Sequence, residues 1–131
     1  MKSNEKLTIT LACNHPEWWR FNVNLQAETL NGDEERIDVA SLRQYIAEVG
    51  SNLPEKPAGV AIKSKLEMTL TPSEKVHLYY NIIPHTHPDD RTIANNTMIE
   101  LRISIRNGEQ LLLDEKAKLN PWSGGIYEKR F

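Results

Sequence analysis

Disulfide chemistry has almost nothing to work with in this chain, because Cys13 is the single cysteine among 131 residues. A disulfide framework is excluded, and a chain of this length can bury an adequate core without one. A lone thiol suits a reducing compartment, so a cytoplasmic location is expected. Charge of one sign is lacking as well. Lys plus Arg number 16 against 18 Asp plus Glu, a net charge of −2, which gives no general attraction toward nucleic acid or anionic lipid. No apolar run is long enough to cross a bilayer. The N-terminal "MKSNEKLTITLAC" alternates apolar residues with threonine and forms no signal-peptide apolar region, so no membrane role is expected. Glycine-rich phosphate loops, nucleophile elbows and paired-cysteine zinc spacings are missing too. With 39% hydrophobic and 26% charged residues, the composition is that of a folded globular chain and not of a disordered one. One domain over 1–131 is expected.

What the chain does have is two-residue periodicity, the mark of strands with one dry face. In "KLTITLAC", Leu7, Ile9, Leu11 and Cys13 share a side. In "WWRFNVNLQAET", Trp19, Phe21, Val23, Leu25 and Ala27 share one side, and Trp18, Arg20, Asn22, Asn24, Gln26 and Glu28 the other. Further alternations place Val60, Ile62, Leu66, Met68 and Leu70 inward, then Val76, Leu78, Tyr80 and Ile82, then Ile99, Leu101, Ile103 and Ile105. "EQLLLDE" follows through "RNG", where a three-residue loop, Arg106 to Gly108, would pair Ile103 with Leu111 and Leu101 with Leu113. "GIYEKRF" offers a last strand.

One segment reads differently. Ser41 and Gln44 have the spacing of a capping box, Gly50 suits a left-handed C-terminal cap, and Leu42, Ile46 and Val49 form a stripe, which together predict a short helix over about 42–49. The expected fold class is therefore mainly β, with α+β as the alternative: an antiparallel β-sandwich of six or seven strands with one short helix after the second strand.

Two stretches carry candidate chemistry. In "PHTHPDD", Pro84 and Pro88 hold an extended island on which His85 and His87 share a side, and Asp89 or Asp90 could add an oxygen. Such a set can hold a zinc-like divalent metal, and through it activate water in a small metal-dependent hydrolase. The stretch resembles the H-x-H-x-D-H motif of metallo-β-lactamases, with Asp90 in place of the final histidine. It is also similar to the H-x-H core of JAMM-type zinc isopeptidases, whose serine and aspartate places hold Asn95 and Met98. The third ligand is missing in both comparisons, so a cofactor-free protein is the leading expectation. Cys13 and His15 could pair as nucleophile and base, but Cys13 continues an inward strand set, where a thiol is simply a small apolar group.

The second stretch is a surface. Trp18, Asn22 and Asn24 on one strand and His77, Tyr79 and Asn81 on another make a polar, aromatic outer face, suited to a partner protein or a sugar. A basic strip of Lys63, Lys65, Arg102 and Arg106 is the other exposed feature. The expectation from sequence is a non-enzymatic module, of the inhibitor, immunity or accessory-subunit type, that binds another protein through that face. The metal-dependent hydrolase and a carbohydrate-binding module are the alternatives.

Overall fold

The computed structural model describes residues 6–51, 53–59, 62–86 and 98–131. Alternation becomes structure almost directly. Among the described residues eight strands form: β1 (Leu7–Ala12), β2 (Phe21–Leu30), β3 (Arg36–Gln44), β4 (Lys65–Leu70), β5 (Lys75–Pro84), β6 (Ile99–Asn107), β7 (Gln110–Leu119) and β8 (Gly125–Arg130). They make two four-stranded antiparallel sheets, a first in the order β4-β1-β6-β7 and a second in the order β3-β2-β5-β8. Among the described strands β2–β3 and β6–β7 are hairpins, and each other consecutive pair lies in different sheets.

Apart from Trp19, which precedes β2, the inward sets predicted for β1, β2, β5 and β6 are those found in one shared apolar cluster, with Phe21, Ile9, Leu25, Leu78, Ile103 and Ile105 fully buried. Removing each such side chain from water contributes about 1.5–3 kcal/mol. Polar links close both open sides of the sandwich. Beside β3 and β4, Asp38 accepts the Thr71 N–H at 2.7 Å and the Thr29 hydroxyl donates to the Thr71 carbonyl at 2.8 Å. Beside β7 and β8, the Tyr127 hydroxyl donates to Glu115 at 2.5 Å, and its ring stacks on Tyr80 at 5.1 Å.

The strand count and the helix are corrected. Residues 42–44 belong to β3, the strand that brings the count to eight, and no α-helix occurs among the described residues. Ser41 pairs opposite Gln26 and Gln44 opposite Val23, so the two supposed capping partners point to opposite faces of a strand. Unpaired, the outer edge of ten-residue β2 would leave its N–H and C=O groups without partners; that pairing outweighs a weak helical stripe. The turn between β2 and β3 is built by Asn31, whose side-chain oxygen takes the N–H groups of Asp33 and Glu35.

The β6–β7 register is corrected too. The turn is Gly108-Glu109, with Gly108 at φ 59, and Asn107 pairs with Gln110. A bulge then sets Leu113 opposite Ile105 and Glu115 opposite Ile103. A positive φ at the first central position suits a two-residue hairpin, and the bulge restores the inward phase that the shorter loop would otherwise lose.

Candidate functional site

The outer face of the second sheet is where the sequence placed its binding surface, and the register defines it row by row. Glu28 lies opposite His77, Gln26 opposite Tyr79, Asn24 opposite Asn81 and Asn22 opposite Ile83. On the far side of β5, Arg130, Glu128 and Ile126 lie opposite His77, Tyr79 and Asn81. Arg43 and Ser41 of β3 lie opposite Asn24 and Gln26. Because opposite residues in an antiparallel pair share a face, these side chains form one continuous surface.

Its two ends differ in chemistry. At one end His77 is held between two carboxylates, with Nδ1 3.1 Å from Glu28 Oε2 and Nε2 2.6 Å from Glu128 Oε2. Arg36 adds a bond to Glu28 at 3.1 Å. The hydrogen bond from His77, and for Glu28 that from Arg36 as well, holds both carboxyls below their ordinary range. Since each ring nitrogen faces its own carboxylate, the carboxylates bind the ring and do not converge on a common point. Among the described residues no three His, Cys, Asp or Glu side chains gather as a metal centre.

The other end is apolar and amide-rich. Ile126 is 72% exposed, Tyr45 61% and Ile83 41%, and Tyr45, Val49 and Ile83 line one depression with Asn24, Asn81 and Arg43. Asn22 is spent in building this end. Its side-chain oxygen accepts the N–H of Ile46 at 2.8 Å and its amide donates to the Ala47 carbonyl at 2.6 Å, pinning the segment after β3 against the sheet.

Trp18 is not on this face, contrary to expectation. Residues Trp18–Arg20 form a 3-10 turn ahead of β2, which breaks the alternation and turns Trp18 inward. It is 4% exposed, its indole N–H donates to the Lys63 carbonyl at 3.0 Å, and its ring lies 6.1 Å from Phe21. Of the predicted surface residues, the sheet therefore brings together Asn22, Asn24, His77, Tyr79 and Asn81. Ile83 shares the outward phase of His77, Tyr79 and Asn81, and the fold adds Tyr45, just after β3, and Ile126, which a helix reading of 42–49 and an unplaced last strand had kept apart.

His85 lies elsewhere. It is 1% exposed, with Nε2 2.7 Å from the Trp19 carbonyl and Nδ1 2.8 Å from the Thr86 hydroxyl. Thr86 Oγ1 also accepts the Leu53 N–H at 2.9 Å, so its own hydrogen is free to point at Nδ1, and Nε2–H then donates to Trp19. Burial lowers the affinity of this imidazole for a second proton. A metal ion on His85 would have to displace one of these bonds. His87, Asp89 and Asp90, the other predicted ligands, lie outside the described residues.

Cys13 is buried, its thiol donates to the Glu100 carbonyl at 3.6 Å, and burial raises its pKa. His15 uses Nδ1 to accept the Glu17 N–H at 3.0 Å. Each group is thus engaged separately, as suits an inert thiol. The basic strip is divided: β1 separates β4 from β6, Arg102 is paired with Asp114, and Lys65 lies 3.8 Å from Glu67.

No family model matches the chain, and neither a curated protein nor a solved structure does. No helix of the described residues is long and apolar enough to cross a membrane.

Proposed function

We propose that this protein is a non-enzymatic binding module whose partner is another protein, docked on the outer face of the second sheet. The observation that carries the reading is the exposed cluster of Tyr45, Ile83 and Ile126 beside Asn24, Asn81 and Arg43. Single exposed apolar residues are ordinary, but aliphatic and aromatic side chains grouped around amides and an arginine have the composition of an interface centre. The His77 carboxylate clamp at the other end supplies a polar rim. The carbohydrate alternative is weakened by the burial of Trp18, the largest ring it would stack on a sugar. An inhibitor, immunity protein or accessory subunit of the cytoplasm would suit this arrangement.

The test pairs two surfaces. A partner is isolated with the unmodified protein, identified, purified and titrated against Ile83→Asp/Ile126→Asp and against Thr10→Arg/Ser104→Arg, the latter on the outer face of the first sheet. Loss of two central apolar anchors is expected to weaken binding roughly 30-fold or more, with the first-sheet variant unchanged. Full affinity in the Ile83/Ile126 variant, with loss in the other, would move the interface to the opposite sheet.

A further inference from the structure

The side of the sandwich where β3 meets β4 holds a polar group that folding alone does not satisfy. Gln44, the last residue of β3, is 9% exposed, and its Oε1 accepts the Lys63 N–H at 2.9 Å. That bond sets the orientation of the amide, since the reversed one would face an NH2 toward an N–H. Its Nε2 is buried and has no hydrogen-bond partner among the described residues. A buried donor without an acceptor carries an uncompensated desolvation cost, and folded chains keep few of them.

Gln44 lines a cleft of ≈ 390 Å³ together with Arg43, Tyr45, Lys63, Lys65 and Glu67. Three of these are cationic and one is anionic. Glu67 stands 3.8 Å from Lys65, whereas Arg43 and Lys63 form no ion pair among the described residues. An unpaired neutral donor and two unpaired cations therefore border one opening in a chain whose net charge is −2. One acceptor with negative charge would serve all three.

We propose that this cleft is an anion site that takes a carboxylate or phosphate group, held by Lys63 with Arg43 reaching in from the outer face of β3, and met by Gln44 Nε2 once the amide swings from its buried position toward the opening. Charge-assisted bonds from lysine and arginine are the strong ones, and the neutral amide gives the site a directional contact that a merely basic surface lacks. Tyr45 at the rim offers a ring for the remainder of the ligand. The site goes beyond the docking face and does not depend on it, although Arg43 and Tyr45 border both. The anion has two sources of one chemistry: a small free acid, or an acidic side chain presented by a protein.

The side-chain NH2 of Gln44 gives a direct readout in 1H–15N correlation spectra of the full chain. Inorganic phosphate and, separately, a short glutamate-rich peptide are titrated at constant ionic strength. A saturable shift of that NH2, with apparent affinity at least tenfold weaker in Lys63→Met, is expected. Tighter binding of phosphate assigns the site to a free anion, and tighter binding of the peptide to an acidic side chain. Gln44→Glu, which keeps the acceptor for Lys63 N–H but replaces the donor, is expected to bind neither. An NH2 that stays still, or drifts without saturation and equally in Lys63→Met, would overturn the proposal and leave only a water at Gln44. Lys63 lies outside the docking face, so a lost anion with retained partner binding, or the reverse, separates failure of this site from failure of the docking reading.

Discussion

His85 shows how a residue chosen for chemistry can hold a fold together. Its backbone N–H donates to the Arg20 carbonyl at 2.9 Å and its carbonyl accepts the Gly50 N–H at 3.2 Å, while the ring joins Trp19 to Thr86. Three segments distant in sequence meet there. Removing the ring in His85→Ala leaves the Trp19 carbonyl without its donor and the Thr86 hydroxyl hydrogen without its acceptor, so a loss of about 1–3 kcal/mol is expected from urea unfolding. Zinc or a chelator should leave the melting temperature of the unmodified protein unchanged if the ring is structural in this way. The pH dependence has a definite sign. Burial lowers the pKa of His85 from its ordinary 6.5. Above 6.5 the ring is neutral in both folded and unfolded chains and its contribution is complete. As pH falls through 6.5 toward the lower folded value, the unfolded chain takes up the proton first and stability declines. The urea midpoint should therefore drop between about pH 7 and pH 5, and His85→Gln should remove that part of the slope. Equal slopes in the two proteins would place the ring in contact with water.

At the scale of elements, the link from β7 to β8 makes the sharpest demand on backbone geometry. Asn120 takes the N–H groups of Trp122 and Ser123 on its side chain and exchanges backbone bonds with Gly124. Gly124 sits at φ 77, and a Cβ there would lie 2.0 Å from the Ile82 carbonyl oxygen. Gly50, at φ 91, has open space around the corresponding position. Gly50→Ala should therefore cost only the left-handed backbone penalty, about 1–2 kcal/mol, and Gly124→Ala distinctly more, because β8 must shift away from β5. Equal costs would mean that this turn yields freely. The two glycines also show what the sequence could and could not convey. Gly50 was readable as a left-handed position, yet its helical context was not real, since the N–H meets His85 rather than a helix carbonyl. Strands β1, β2, β5 and β6 were readable because each has four or five inward apolar residues in alternation. β3 was not: it places Asp38, Ala40, Leu42 and Gln44 inward, a set with little apolar contrast that becomes a strand through its pairing with β2. The candidate surface followed the same rule. Asn24, Tyr79 and Asn81 were placed by strand phase, whereas Trp18 was misplaced by a 3-10 turn that no periodicity announces, and Ile126 found its neighbours only through the pairing of β8 with β5.

At the scale of the whole molecule, the order of the strands decides how the chain must fold. Leu7 pairs with Asn107 and also with Leu70, and Phe131 exchanges backbone bonds with Val76. Strand β1 thus sits at the centre of its sheet only after partners far along the chain have formed. Neither sheet can stand alone, because each would expose a continuous apolar face, and the polar links at both open sides join one sheet to the other. The two sheets should consequently unfold together. Trp18 and Trp19, ahead of β2 and packed near Lys63 and His85, report on tertiary contact, while far-UV circular dichroism reports on both ladders. The two signals are expected to give coincident urea transitions, with refolding in milliseconds to seconds, as suits a topology dominated by long-range pairing. A tryptophan transition that precedes the loss of strand signal would show that the end of the sandwich holding His85 opens independently. The anion cleft lies where Lys63 meets Gln44, beside that same end. Phosphate should then raise the tryptophan midpoint in such a case and leave the strand midpoint in place; with coincident transitions, it should raise both equally.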